Sequence, residues 1–234
     1  METLPNGIQC IVGEKEGPTV ILLKKVHGDE IGGEMVVDLV IQNLISIEKG
    51  KLYYGTGNIL ASEQNVRFLD VDLNRSYGKE NIGCGYEGKR AIELKPLLQT
   101  ANYFFDIHSF RKPAPPIICY PGDDFSKLEQ LTAHLPIETI VYGSGLWPPN
   151  KDHIYGDTFV CAHNGFGLTV ESGYLTDTSA VNKVASGLQK ILEELLGAKV
   201  HKLIIENELI SRRYYYAYIN IIAGENFSFC KEFG

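Results

Sequence analysis

No stretch of this chain approaches 18 consecutive apolar residues, so no membrane-spanning helix is expected. The opening Met1-Glu2-Thr3-Leu4-Pro5 lacks both a positive start and an apolar core, so a secretory signal is not expected either. Disulfide chemistry has little to work with. The five cysteines, Cys10, Cys84, Cys119, Cys161 and Cys230, are odd in number, widely spaced and without a CxxC pair. They read as reduced thiols of a cytoplasmic protein, not as a disulfide scaffold or a cysteine zinc site. Basic charge is also short. Lys plus Arg is 22 against 29 Asp plus Glu, for a net charge of −7, and no basic block offsets it. Sequence-independent nucleic-acid binding is therefore not expected. Internal repeats and low-complexity segments are missing. Gly55-x-Gly57 has no third glycine before a helix, which removes a dinucleotide fingerprint.

What remains is ordinary globular material. The 234 residues are 44% hydrophobic and 22% charged, enough for one large domain, or one domain and an appendage, with a substantial core. Strands are expected at Thr19–Leu23, Lys51–Tyr54 with Asn58–Leu60, Asn102–Ile107, Ile117–Tyr120 and Phe166–Val170. Helices are expected at about Ile31–Leu44, Glu87–Leu98, Asp124–Leu135 and Ser179–Leu196. The last has the clearest 3.6-residue period, and Gly197 stands where a helix cap belongs. Residues 61–85 read as a long polar loop, and such loops in compact domains are often functional. Strands alternate with helices up to Lys199, which predicts an α/β sheet with helices on both faces. After it, Leu203–Ile205 and Tyr214–Ile222 read as a small β element. The expected division is 1–199 and 200–234, the second part being short by nature or by trimming.

Four short motifs carry chemistry. His27-x-x-Glu30 offers an imidazole and a carboxylate that can converge on one ion if the chain turns at Gly28, a donor pair that suits zinc. His108, at the end of an apolar strand, is a third ligand candidate. Two histidines and one carboxylate leave a coordination position open, as catalytic zinc sites do. Arg67, Asn74 and Arg75 in the long loop suit a carboxylate clamp and a developing oxyanion. Glu171, at the end of the strand Phe166–Val170, can act as general base toward water. Each motif alone is a common surface feature. Of the other histidines, His134 and His201 read as structural or exposed, and His153 and His163 as residues that pass near the cleft.

Taken in order, the motifs resemble the zinc carboxypeptidase superfamily, and within it the succinylglutamate desuccinylase/aspartoacylase family. The matching stretches are Val26-His27-Gly28-Asp29-Glu30, Arg67 with Asp72-Leu73-Asn74-Arg75, Tyr86-Glu87 leading into a helix, Phe105-Asp106-Ile107-His108-Ser109 and Val170-Glu171-Ser172-Gly173. The resemblance implies a zinc-carboxypeptidase-like mixed sheet flanked by helices, with a small C-terminal β element. It implies one Zn2+ per chain on His27, Glu30 and His108, with Asp72 orienting His27. Glu171 would be the base and later the proton donor, Arg67 would hold the oxyanion, and Asn74 and Arg75 would bind the substrate's carboxylate. The implied activity is amide hydrolysis of a small N-acyl amino acid. A carboxypeptidase acting on a peptide or peptidoglycan stem, or a family member that binds zinc without catalysis, are the alternatives. Residues 151–170 contain no arginine, whereas some aspartoacylase-like enzymes use one there for an acidic side chain, so strict aspartoacylase specificity is not implied. The expected partner is a small molecule with a free carboxylate, with no nucleic acid and no membrane. A homo-oligomer is left open, as is any cleft role for Tyr214, Tyr215, Tyr216 or Tyr218.

Overall fold

In the computed structural model of the protein, Val20, Ile21, Leu22 and Leu23 are all fully buried. A continuous apolar run of this kind belongs to a strand covered on both faces. The structure describes residues 4–78, 83–144, 154–201 and 211–217. The chain opens with β1 (Ile8–Val12), β2 (Lys15–Lys24), α1 (Ile31–Asn43), β3 (Leu44–Ser46) and β4 (Lys49–Thr56). A short α2 (Ile59–Gln64) and a 3-10 turn (Leu73–Arg75) precede α3 (Gly85–Leu98). Then follow β5 (Tyr103–Phe110), β6 (Ile117–Tyr120), α4 (Phe125–Thr132), β7 (Thr139–Tyr142) and α5 (Gly156–Ala162). The described chain closes with β8 (Phe166–Tyr174), α6 (Thr178–Leu196), β9 (Lys199–Val200) and β10 (Arg213–Tyr216).

The eight-stranded sheet runs β1-β4-β2-β5-β8-β6-β7-β10, and β3 pairs with β9 apart from it. The β1–β4 and β6–β8 pairs are antiparallel, and the other pairs of the main sheet are parallel. Strand alternation divides the core between the two faces. Val20, Leu22, Phe105 and Ile107 pack with α1, α4 and α6. Ile21, Leu23 and Phe104 pack with α3 and α5. This is the α/β architecture expected from the sequence.

The best helix behaves as its period predicts. The Asp177 side chain accepts from the Ala180 amide at its start, and Gly197 closes it at φ 62°, a left-handed conformation that glycine adopts without strain. Two strands are longer than expected. His108 and Glu171 lie inside β5 and β8, not just after them. Asn58–Leu60 does not form a strand. Asn58 caps α2 by accepting from the Ala61 amide, so the loop expected from residue 61 begins within a helix. Of the expected C-terminal element, Leu203–Ile205 and 218–222 lie outside the described residues, as do His153 and Tyr218. The described Arg213–Tyr216 extends the main sheet beyond β7. Among the described residues no helix is long and apolar enough to cross a membrane.

Candidate active site

The site forms where β2, β5 and β8 end, at the carboxyl edge of the sheet, where open α/β sheets place their ligands. Just past β2, Lys25 takes a left-handed φ of 54°, and its buried Nζ donates to the Gly28 carbonyl at 2.9 Å. This pins the turn that carries His27 and Glu30. Gly28 serves that turn differently from the sequence expectation. Its φ is not left-handed. Instead, a Cβ there would lie 2.2 Å from the Ala61 carbonyl carbon, so glycine permits the turn to press against α2. Glu30 is the N-cap residue of α1.

His108 comes from β5. Asp106 and His108 are two apart on one strand and therefore share a face. Glu171 pairs with His108 across the β5–β8 register. The structure brings His27, Glu30 and His108 together. All three are buried, with potential ligand atoms within 4.8 Å of one another. His27 Nδ1 lies 2.8 Å from Glu30 Oε1, and His108 Nδ1 lies 2.9 Å from Glu30 Oε2. The two Nδ1 atoms are 3.1 Å apart.

Two imidazole nitrogens cannot face each other at that distance with both lone pairs bare, so the pocket calls for a proton or a cation between them. Tetrahedral coordination with bonds of about 2.0–2.1 Å puts neighbouring ligand atoms roughly 3.4 Å apart, close to the spacings here. The outer ring nitrogens meet carboxylates. His27 Nε2 is 3.1 Å from Asp72 Oδ1. His108 Nε2 is 3.0 Å from Asp106 Oδ1, at an angle too bent for a full hydrogen bond. Carboxylates behind both histidines orient the rings and raise their basicity, as in metal centres. The donor set therefore fits a divalent cation of the zinc type.

The electrostatics agree. Burial alone would lower the pKa of each histidine, but the carboxylates outweigh it. Asp72 and Glu30 raise His27, and Asp106 and Glu30 raise His108 well above its ordinary value. Burial works against ionised Glu30, yet the two histidines hold its carboxyl below the usual range. Asp72 is likewise lowered against its burial, by His27, Arg75 and Arg67. Glu171 moves the other way. Burial raises its carboxyl, and Glu30 and Asp106 add to the rise against the pull of the histidines. One of its oxygens is buried and has no hydrogen-bond partner.

Arg67 Nη1 donates to Glu30 Oε1 at 3.1 Å, and its guanidinium stands 3.8 Å from Asp72. Arg75 donates to Asp72 Oδ2 at 2.6 Å and to the Tyr155 hydroxyl at 3.3 Å. Asn74 is buried, and its side-chain oxygen accepts from the Gly156 amide at 3.2 Å. A cleft of about 470 Å³ opens over this group. His27, Glu30, Arg67 and Glu171 line it, and Asn74 and Arg75 do not.

Three features escaped the sequence reading. Asp106 stands behind His108. Arg111 and Lys112 add two cations to the cleft, Arg111 resting 3.2 Å from Asp29. The Ser109 amide donates to Glu30 Oε2 at 3.1 Å. The Asp-x-His spacing within a strand was the available signal for the first. The sequence holds no signal for the other two. Of the remaining histidines, His163 lies by Gln99 and the Phe159 carbonyl, and His134 pairs with Glu194. Neither lines the cleft.

A mostly parallel α/β sheet flanked by helices, with a His-Glu-His cluster at its carboxyl edge, defines an α/β protein carrying a candidate metal centre. Residues 16–131, about half of the chain, match the model of the succinylglutamate desuccinylase/aspartoacylase catalytic domain. The chain belongs to the succinylglutamate desuccinylase/aspartoacylase family. It is 28% identical over 118 residues to an aspartoacylase of Danio rerio, covering 44% of this chain and 36% of that one. It is 30% identical over 111 residues to a succinylglutamate desuccinylase of Photorhabdus laumondii, covering 44% of this chain and 32% of the other. The match thus spans about a third of each relative. In fold it resembles the succinylglutamate desuccinylases of Chromobacterium violaceum and Vibrio cholerae. The TM-scores are 0.66 and 0.73 at 22% and 15% identity, covering 80% and 92% of this chain and 64% and 67% of theirs.

Proposed function

We propose that this protein is a zinc-dependent hydrolase that cleaves the amide bond of a small N-acyl amino acid to a carboxylate and a free amine. The observation that carries this reading is the convergence of His27, Glu30 and His108 in one cleft with Arg67 and Glu171. His27, Glu30 and His108 would hold the ion. Zinc, when bound, supplies a Lewis acid that acidifies water and polarises a carbonyl.

The remaining work falls to the chain. Glu171 takes the proton of the attacking water and returns it to the departing amine. Its burial favours that exchange, because a carboxyl raised toward working pH both accepts and releases a proton readily. Arg67 faces the oxyanion that forms as the carbonyl carbon becomes tetrahedral. Asp72 keeps His27 oriented and holds Arg75 at the same time. The family resemblance assigns Asn74 and Arg75 to the substrate's free carboxylate, although neither lines the cleft beside Arg67. Arg111 and Lys112 add positive charge in the cleft, useful to a chain with a net charge of −7. The same reading treats residues 1–199 as the hydrolase domain and 200–234 as a short C-terminal β segment.

The test is a hydrolysis screen of N-acetyl, N-formyl and N-succinyl amino acids, with short peptides alongside. Turnover of one N-acyl class, abolished by chelation and restored by zinc, is expected. Preferential cleavage of peptides would move the assignment to a carboxypeptidase, and bound zinc without any hydrolysis would make the protein a non-catalytic binder.

A further inference from the structure

The loop that delivers Arg67, Asp72, Asn74 and Arg75 has no strand or long helix of its own to hold it. One side chain holds its middle. Glu87, in the first turn of α3, is fully buried. Its carboxylate accepts three consecutive loop amides, from Leu69 at 2.6 Å, Asp70 at 3.0 Å and Val71 at 3.3 Å. It accepts a fourth bond from Asn58 Nδ2 at 3.0 Å. Asp70 returns the contact by accepting from the Tyr86 amide at 2.7 Å. Consecutive amides converging on a carboxylate form a cradle for negative charge, and bonds to an ionised acceptor are the strong class of hydrogen bond.

The grip reaches the turn that bears two of the three cluster residues. The Asn58 amide donates to the Lys25 carbonyl at 2.9 Å, and the Gly28 amide donates to the Arg67 carbonyl at 3.1 Å. The turn bearing His27 and Glu30 and the loop bearing Arg67 and Asp72 are thus tied to one buried carboxylate. Leu69–Val71 sits between Arg67 and Asp72, so fixing those amides fixes the chain on either side of them.

We infer that Glu87 is a positioning residue, whose carboxylate, by holding the amides of Leu69, Asp70 and Val71, sets Arg67 against the metal cluster. The inference rests on the functional reading above for what Arg67 does, but not for the loop itself. In Glu87→Gln, an amide NH2 replaces one acceptor oxygen and faces backbone N–H groups. Two measurements test the idea on the zinc-loaded full chain. Hydrogen exchange of residues 69–71 should quicken at least tenfold in Glu87→Gln. In the hydrolysis assay kcat should fall 10- to 100-fold with the zinc content unchanged, whereas in the Arg67→Ala background the same change should cost less than threefold.

Exchange that stays slow, or losses that multiply across the two substitutions, would overturn the inference. A purely architectural Glu87 would lower melting temperature and active fraction and leave kcat per zinc-loaded chain intact. Should Glu87→Gln not fold, Glu87→Asp, which keeps the charge but withdraws it by one methylene, is read by the same criteria. A wild-type chain inactive on every substrate would sink the functional reading alone, because hydrogen exchange reports on the loop without substrate.

Discussion

Glu171 stands beside His108 across the β5–β8 pairing, close to the ion cluster without belonging to it. Glu171→Gln keeps the volume and removes the proposed base. We expect roughly a 10²- to 10⁴-fold loss of kcat with zinc content unchanged by metal analysis. Near-normal turnover would dismiss Glu171 as the base. The base must be ionised to act, and burial raises its carboxyl, so activity should rise with pH through a limb above the usual carboxylate range. That limb should be lost from whatever activity the variant retains. Much of the site was legible at this scale. His27, Glu30, His108 and Glu171 are chemistry-bearing residues in short motifs near apolar strands, Arg67 stands in the long polar loop, and the structure gathers all five. Asp106 was missed for a geometric reason. Its partnership with His108 follows only if both lie within one strand, and the apolar pattern ends that strand at Ile107. Arg111 and Lys112 enter the cleft through a loop whose course is set by tertiary packing, which no local pattern encodes.

The two glycines that open α1 set the distance between the elements that bear the ligands. A Cβ on Gly33 would lie 2.3 Å from the Ile107 carbonyl oxygen, and one on Gly32 would lie 2.8 Å from the Ser109 side chain. Helix α1 therefore starts in contact with the β5 segment that holds His108, and brings Glu30 with it. Gly33→Ala should push the helix start off β5, at a cost of about 1–3 kcal/mol for overpacking, and weaken zinc binding as well. Denaturant unfolding and a competitive chelator titration measure the two effects. A stable variant with unchanged zinc affinity would show that the helix can give way freely. Elements were legible by pattern more than by length. Helix α6 declares itself by period and cap and the four-residue β6 by its apolar run after a proline loop, while β1, β7 and α5 carry no such punctuation. The strand expected at Asn58–Leu60 rested on two apolar residues in a row, and the asparagine before them turned out to be a helix cap.

Across the molecule, the α3–α5 face of the sheet carries a buried carboxyl away from the cleft. Asp157 accepts from Thr169 Oγ1 at 2.9 Å and from the Thr158 amide at 2.6 Å. Burial, reinforced by Asp106, pushes its pKa up to about 6 despite those bonds. The folded chain therefore holds a proton that an unfolded aspartate, at about 3.9, releases earlier. The associated stability is complete below about pH 4 and is lost as pH rises through 6. Asp157→Asn cannot ionise, so the variant should gain on the wild type by up to about 3 kcal/mol between pH 4 and 7, at roughly 1.4 kcal/mol per pKa unit. Parallel unfolding midpoints across that range would refute the coupling. The order of the sheet has a separate consequence, for synthesis on the ribosome. Strand β8 lies between β5 and β6, although it is made after both. At about 5–20 residues per second, the interval from residue 110 to residue 174 lasts roughly 3–13 s. Throughout it β5 presents an unfilled apolar edge open to other nascent chains, and the strand that ends this exposure is the one that brings Glu171. The newborn chain thus gains its candidate base in the same event that shields it from aggregation.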